Sequence, residues 1–257
     1  MSDMLNERDV LNEIEMTVAK GNQLIQRSRF SLSLLEQKAL LFLISKIKPY
    51  DEPRTAYEFN MRDFCKVCNI DIKSSGTYYE YVKQMMLKIR SSELVLEYPN
   101  GDTLITGWFL KARLKRNGIF EVVFDEELTP YLFNLQNLYT SYSLSYVLAM
   151  KSKYGIRLYE LLKSYKNIRY RQRYTLDELR DRLGCENYTE YSDFRKYVLQ
   201  PAMKDINEVS DLQVEFVALK TGRKVSHIEF TISYMDGWEN RNRMNERMER
   251  LGIDFHL

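Results

Sequence analysis

At 257 residues, with 44% hydrophobic and 29% charged, the chain has an ordinary globular composition with room for one large domain or two of usual size. Only 10 Gly and 5 Pro leave little for linkers, no apolar run approaches the ~20 residues of a membrane span, and the acidic start MSDMLNERDVLNEIEM does not read as a secretory leader. Three cysteines, an odd number, argue against a disulfide framework and predict a cytoplasmic protein, while a net charge of +2 selects no class of partner.

In chain order, residues 10–29 read as a lead-in helix. SLLEQKALLFLISKI (33–47) is an apolar helix ending near Pro49. AYEFNM (56–61) alternates as a short strand, MRDFCKVCNI (61–70) is a short helix, Ser74, Ser75 and Gly76 break the chain, and TYYEYVKQMMLKIRSS (77–92) is a longer helix. The strands ELVLEY, TLITGWFLKARL and IFEVVF follow, joined by PNGD (99–102) and KRNG (115–118), both good hairpin signals. Residues 126–140 connect to the second half.

That half repeats the order. A helix covers about 145–165, and IRYRQRY (168–174) alternates as a strand with Arg169, Arg171 and Arg173 on one side. Thr175 offers an N-cap with Glu178 three residues on, and LDELRDRL closes at Gly184. Next comes SDFRKYVLQPAMKDINEV (192–209), a helix interrupted by Pro201. Strands at 211–219 and 225–233 flank the turn KTGRK (220–224), and the charged tail 237–252 reads as a surface helix.

Helix, strand, helix, helix, strand, strand is the order of a winged helix, and it occurs twice. MRDF (61–64) lies opposite LDEL (176–179), and SSELVLE (91–97) opposite VSDLQVE (209–215). The predicted fold class is α+β, two tandem winged-helix domains related by pseudo-symmetry, over 1–137 and 138–257. Two unrelated α+β domains remain the competing reading.

In a winged helix the third helix enters the major groove. In the second module that slot belongs to 192–209. Phe194, Val198, Leu199, Ala202 and Ile206 share one face; Lys196, Tyr197, Gln200 and Lys204 fall on the other. Tyr188, Thr189, Ser192 and Arg195 stand at its start, where helix amino termini meet bases and phosphates. Pro201 removes a backbone donor and bends the helix; the competing reading is a core helix in which the proline ends one segment and begins another. The wing tip carries Lys220, Arg223 and Lys224, suited to backbone or minor-groove contact.

From Lys151 to Arg173, eight basic residues face one acid, Glu160, and the chain holds 19 tyrosines, which among cations suit phosphate and sugar contact. Core tyrosines with a solvated lysine face explain the same composition. Arg169, Arg171 and Arg173 either meet phosphates or pair with Asp177, Glu178 and Asp181. In the first module Lys83 and Lys88 are the outer cations of the third helix, and its wing holds Lys111, Arg113, Lys115 and Arg116. That module binds DNA or has become a protein interface; the residues leave both open.

SRFSLSLLEQKALLFLISKI and FRKYVLQPAMKDINEVSDLQVEF resemble the replication initiators of iteron-containing plasmids, over about residues 20–235. The resemblance implies tandem winged helices, the second reading one end of a repeated double-stranded origin site through Tyr188 to Val209. The first is implied in homodimer formation and in contacting the other end of the site. It further implies that monomers bind direct repeats, help open the origin and recruit the host initiator and the replicative helicase, while dimers repress their own gene.

No catalytic constellation emerges. A rolling-circle initiator or relaxase needs paired histidines for its metal, and this chain has only His227 and His256, far apart. The phosphate-cradling motif GxxxxGK[ST] is absent. Cys65 and Cys68 form a CxxC without two further ligands at metal spacing, so buried free thiols are predicted. Asp125, Glu126 and Glu127 suit a helix start electrostatically. The sequence therefore predicts a non-enzymatic DNA-binding initiator without cofactor or metal. A repressor of the same architecture, and a dimeric scaffold using its winged helices for protein contact, are the alternatives.

Overall fold

Short helices and strands open the chain where one long helix was predicted. The computed structural model describes residues 7–70, 77–165, 170–235 and 237–253, which leaves the break at 74–76 and Arg169 outside. Its first elements are α1 (Glu7–Ile14), β1 (Thr17–Gly21), α2 (Asn22–Arg27) and β2 (Ser28–Arg29). TVAKG alternates, burying Val18 and Lys20, so a strand replaces the middle of the expected lead-in helix.

Two compact units emerge: Met1–Leu24 with Phe30–Leu148, and Ile25–Arg29 with Ala149–Leu257. The division falls after residue 148, not 137, for a backbone reason. β8 (Tyr139–Ser143) pairs antiparallel with β1 from Thr17↔Ser143 to Gly21↔Tyr139, and Leu144 N–H donates to the Met16 carbonyl at 2.8 Å.

In the first unit, α3 (Leu34–Ile44) begins with a complete capping box between Ser33 and Glu36, and every residue from Ala39 to Ile44 is buried. After it come β3 (Tyr57–Asn60), α4 (Met61–Val67), capped by Asn60, and α5 (Tyr78–Ser91), capped by Thr77. β4 (Leu94–Glu97) and β5 (Thr103–Thr106) make one hairpin; β6 (Phe109–Leu114) and β7 (Ile119–Phe124) make another. The apolar run 103–114 thus splits at Gly107–Trp108, with Trp108 fully buried. β7 lies between β6 and β3, and Phe42, Phe59, Phe64 and Phe120 pack at ring separations of 5.1–5.9 Å. Consequently β6, rather than residues 91–97, is the counterpart of the first wing strand in the second unit. A short 3₁₀ turn (Glu126–Leu128) and α6 (Thr129–Leu132) precede β8.

α7 (Leu144–Ala149) and α8 (Lys153–Lys163) replace the single helix predicted over 145–165, and Ser152 caps α8. β9 (Arg171–Thr175) leads into α9 (Leu176–Leu183), capped by the Thr175 side chain and ended by Gly184 at φ +62°. Then come α10 (Tyr191–Phe194), a π turn (Arg195–Leu199), α11 (Gln200–Val209), β10 (Leu212–Thr221), β11 (Lys224–Tyr234) and α12 (Gly237–Leu251). β11 lies between β10 and β9. Helix, strand, helix, helix and a two-stranded wing therefore recur in both units, each a winged helix.

One buried carboxylate fixes α11 among its neighbours. Asp205 Oδ2 accepts from the Lys151 and Ser152 N–H groups at 2.8 and 2.6 Å, at the start of α8, and Oδ1 accepts from Arg250 of α12 at 3.0 Å. Burial pushes the Asp205 carboxyl above its ordinary value; the two backbone donors and Arg250 pull against that rise. Arg250 also pairs with Glu208 and Glu246. Further along α12, Arg243 donates to the carbonyls of Ile206, Ser210 and Leu212, and Arg247 to that of Val209. The Ile206 carbonyl also accepts from the Ser210 N–H at 3.1 Å; at this end of α11, where helical donors run out, the two guanidiniums supply further donors and complement the helix dipole. The tail is thus a packed helix with buried Met248, not the surface helix its charge suggested.

α8 and α11 approach closely at Gly155, where an added Cβ would lie 3.1 Å from Asp205 Oδ2 and 3.2 Å from its Cβ. Ala in a helix ordinarily gains ~0.5–1 kcal/mol over Gly. Here Asp205 is held by three donors and cannot give way, so Gly155→Ala should instead lose about 1–3 kcal/mol in denaturant unfolding. Arg243→Ala, which strands buried carbonyls, should cost about the same.

Candidate nucleic-acid interface

From Tyr191 to Val209 the second unit presents one interrupted helix with two unlike faces. Phe194, Val198, Leu199, Ala202 and Ile206, the inner face read from the sequence, are each fully buried. Ser192, Arg195, Lys196, Tyr197, Gln200 and Lys204 are all exposed. The proline is accommodated by the π turn rather than by a break: the Gln200 N–H donates five residues back to the Arg195 carbonyl, and Pro201, lacking an N–H, sits in the first turn of α11. Thr189 is exposed and Tyr188 half-buried in the loop before α10, whose path is held by Arg180 donating to the Thr189 carbonyl at 2.6 Å.

An aromatic chain backs this face. The Tyr197 ring stands 6.1 Å from that of Tyr188, which stands 6.3 Å from that of Tyr154 on α8. Lys196 Nζ lies 4.8 Å over Tyr197, and Lys153 Nζ 5.0 Å over Tyr154. Its bond to Tyr197 raises the Lys196 ammonium above its ordinary value, so it stays charged at any neutral pH. Burial and the neighbouring Tyr188 push the Tyr154 hydroxyl up to about 12, so it stays protonated. Lys153 and Tyr154 belong to this surface although only the lysine was part of a sequence signal, the basic run.

The wing runs out beside them. Thr221 pairs with Lys224, leaving a two-residue tip of Gly222, at φ +64°, and Arg223. A bulge between Leu219 and Lys220 sets off this tip, and Ser226 bonds there to Thr221 and Leu219. Lys220, Arg223 and Lys224 are exposed, and among the described residues no carboxylate lies within 4.0 Å of them, or of Arg195 and Lys196. Lys204 has Glu208 at 3.9 Å, too long and exposed a pair to hold it firmly.

The other predicted cations divide. Arg171 is exposed on β9, whereas Arg173 is engaged through Nη2 at 2.6 Å and Nε at 3.1 Å by Glu229, its partner across the sheet. Asp177, Glu178 and Asp181 are instead taken by Arg180, Arg182 and Arg29. The basic run from 151 is not a single face either. Arg157 and Lys163 are buried, bonded to Glu160 and Asp211 respectively.

In the first unit two of the four wing cations, Lys111 and Lys115, are paired with carboxylates. Lys111 contacts Glu121 at 2.7 Å, Lys115 bonds Glu58, Arg113 lies opposite Glu121, and Arg116 stacks 4.5 Å over Tyr79. The bond from Lys111, with the nearby Arg113 and Lys115, holds the Glu121 carboxyl below its ordinary value. On α5, Lys83 and Lys88 lie near Glu80 and Glu36.

Two family models cover this architecture. One, described as Initiator Replication protein, WH1, matches residues 17–163; the other, Initiator Rep protein, WH2, matches residues 175–232. The chain belongs to the initiator replication protein family. Among the initiator's relatives, a replication initiation protein of Escherichia coli is 29% identical over 228 residues, 85% of this chain and 70% of that protein. An uncharacterized 27.6 kDa protein of Escherichia coli is 27% identical over 147 residues, 55% of this chain and 61% of that one. The crystal structure of Pi initiator protein in complex with iteron DNA matches at a TM-score of 0.66, over 87% of this chain and 99% of that one, with 19% identity. That likeness is one of fold.

His227 lies half-buried on β11 with Nδ1 2.9 Å from Ser226 Oγ, and His256 falls outside the described residues. Among the described residues no group of three or more His, Cys, Asp or Glu is placed to hold a metal, and no helix is long and apolar enough to cross a membrane. Cys65, Cys68 and Cys185 are free and buried, and burial pushes the Cys65 and Cys185 thiols up to about 12. So little thiolate should leave all three unreactive to a thiol reagent at pH 8 in the native chain, with full reaction after unfolding.

Proposed function

We propose that this initiator binds repeated double-stranded sites, iterons, at a plasmid origin through its second winged helix and there promotes origin opening. The recognition surface would be Tyr188, Thr189, Ser192, Arg195, Lys196, Tyr197, Gln200 and Lys204, with Lys220, Arg223 and Lys224 of the wing on the adjoining backbone and Arg171 beside it. The observation that carries this reading is the unpaired charge. Among the described residues, Arg195, Lys196 and the three wing cations have no carboxylate within 4.0 Å, whereas two of the four cations of the first wing, Lys111 and Lys115, are paired. Cations held without partners favour a polyanion, since each phosphate neutralised releases counterions. Within this reading the protein is not an enzyme and needs no cofactor; it acts in the cytoplasm by assembling with DNA, with a second copy of itself, and with the host initiator and replicative helicase. Autorepression by the dimer would follow from the same surface, and family membership favours the initiator over a repressor alone.

The first unit's compensated wing suits protein contact better than phosphate contact, which supports a dimerising role for it. Arg169 lies outside the described residues, and Arg173 would reach phosphate only by leaving Glu229.

Footprinting the DNA that flanks the gene, across a salt series, tests the reading. Evenly spaced direct repeats should be protected, with log affinity falling by about 0.9 per phosphate contact for each log unit of salt. Replacing Lys196 and Lys204 by Ala should weaken binding and reduce that slope by up to about two, with thermal stability unchanged. Protection of a single inverted repeat alone would favour the repressor, and no protection at moderate salt would overturn DNA binding. Glu229→Gln, which releases Arg173, should tighten binding to unrelated duplexes and steepen the slope by up to about one.

A further inference from the structure

The π turn marks one residue too many in an otherwise regular helix. Val198, Leu199, Ala202, Met203, Ile206 and Val209 are buried at the 3-and-4 spacing of an amphipathic α-helix. Continued backwards, that spacing would bury residue 195, three before Val198 and four before Leu199, and turn residue 194 toward the margin. The observed side chains are reversed. Phe194 is fully buried and Arg195 exposed, because the bond from Gln200 N–H to Arg195 O spans five residues and rotates the preceding turn. The result is three consecutive outward side chains, Arg195, Lys196 and Tyr197, where an α-helix would show fewer. Pro201 favours this arrangement, since it has no N–H to offer the Tyr197 carbonyl.

Tyr197 is the large side chain of the three, 48% exposed although packed against Tyr188 and overlain by Lys196. Its ring is oriented before any partner arrives, with the hydroxyl as a polar tip. Building on the DNA reading above, we propose that this one-residue insertion is a base-reading device, with Tyr197 the specificity-determining contact to a base edge in the major groove and Arg195 and Lys196 on the flanking phosphates. An oriented aromatic side chain with a polar tip offers both the apolar contact and the hydrogen bond that distinguish base pairs there.

Two variants test this against the duplex that the wild-type protein enriches from a random library, with a scrambled duplex as reference. Deletion of Lys196 restores the regular spacing with Phe194 on the buried face. It should fold with an unfolding midpoint at or above wild type, keep salt-dependent binding to the scrambled duplex, and lose preference for the selected one. Tyr197→Phe, nearly isosteric, should cost about tenfold in that preference. Wild-type preference retained in either variant overturns the inference while leaving DNA binding intact. A deletion variant that fails to fold contradicts the inserted-residue pattern and overturns the device. A wild-type protein that enriches no sequence overturns base reading itself, and one that binds no duplex at all overturns the DNA reading beneath it.

Discussion

The second unit depends on the buried carboxylate of Asp205. Asp205 sits on the inner face of the recognition helix, beside Ile206, where an apolar side chain would ordinarily stand. It is tolerated there because two backbone donors from the start of α8 and the guanidinium of Arg250 replace the water it loses. Three elements distant in sequence are thereby tied at one point. The close approach at Gly155 and the arginines of α12 on the carbonyls of α11 complete the clamp. With its rear half held this way, the helix can carry an irregular, proline-containing front half whose outer side chains stand clear of the core.

The two winged helices share an architecture but differ in what their charge is for. In the first, strand register sets Glu58 and Glu121 next to each other, and Lys111, Arg113 and Lys115 gather around them. In the second, the comparable hairpin ends in three cations with no carboxylate within 4.0 Å among the described residues, and the pair of Arg173 with Glu229 lies back from the tip. Exposed pairs contribute little to stability, so this difference matters chiefly for the potential each surface offers to a polyanion. A wing free of countercharge is suited to phosphates, a compensated one to protein.

Much of this was legible from the residues. Apolar spacing, the Thr175 cap, Gly184 and the KRNG and KTGRK turns carry local chemistry, and the elements formed where these signals stood. The inner and outer faces of the recognition helix were legible for the same reason. The π turn was not, because one inserted residue shifts a face without erasing the apolar pattern. The helix predicted over 145–165 breaks where Ser152 caps its second half and Asp205, more than fifty residues away, holds the Lys151 and Ser152 N–H groups. α12 looked like a solvated helix because the partners of Arg243 and Arg247 are backbone carbonyls, which no residue type reveals. Their spacing with Arg250 along one face was the available clue. Arg173 could not be assigned from sequence because cross-strand register with Glu229, rather than nearness along the chain, chose its partner.

The most direct measurement is hydrogen exchange of the whole chain, free and bound to a duplex carrying its repeat. Engagement through the second winged helix should slow exchange over residues 188–204 and 220–224 and leave the 111–116 wing largely unchanged. Protection confined to the first wing, with the recognition helix exchanging as in the free protein, would contradict the account.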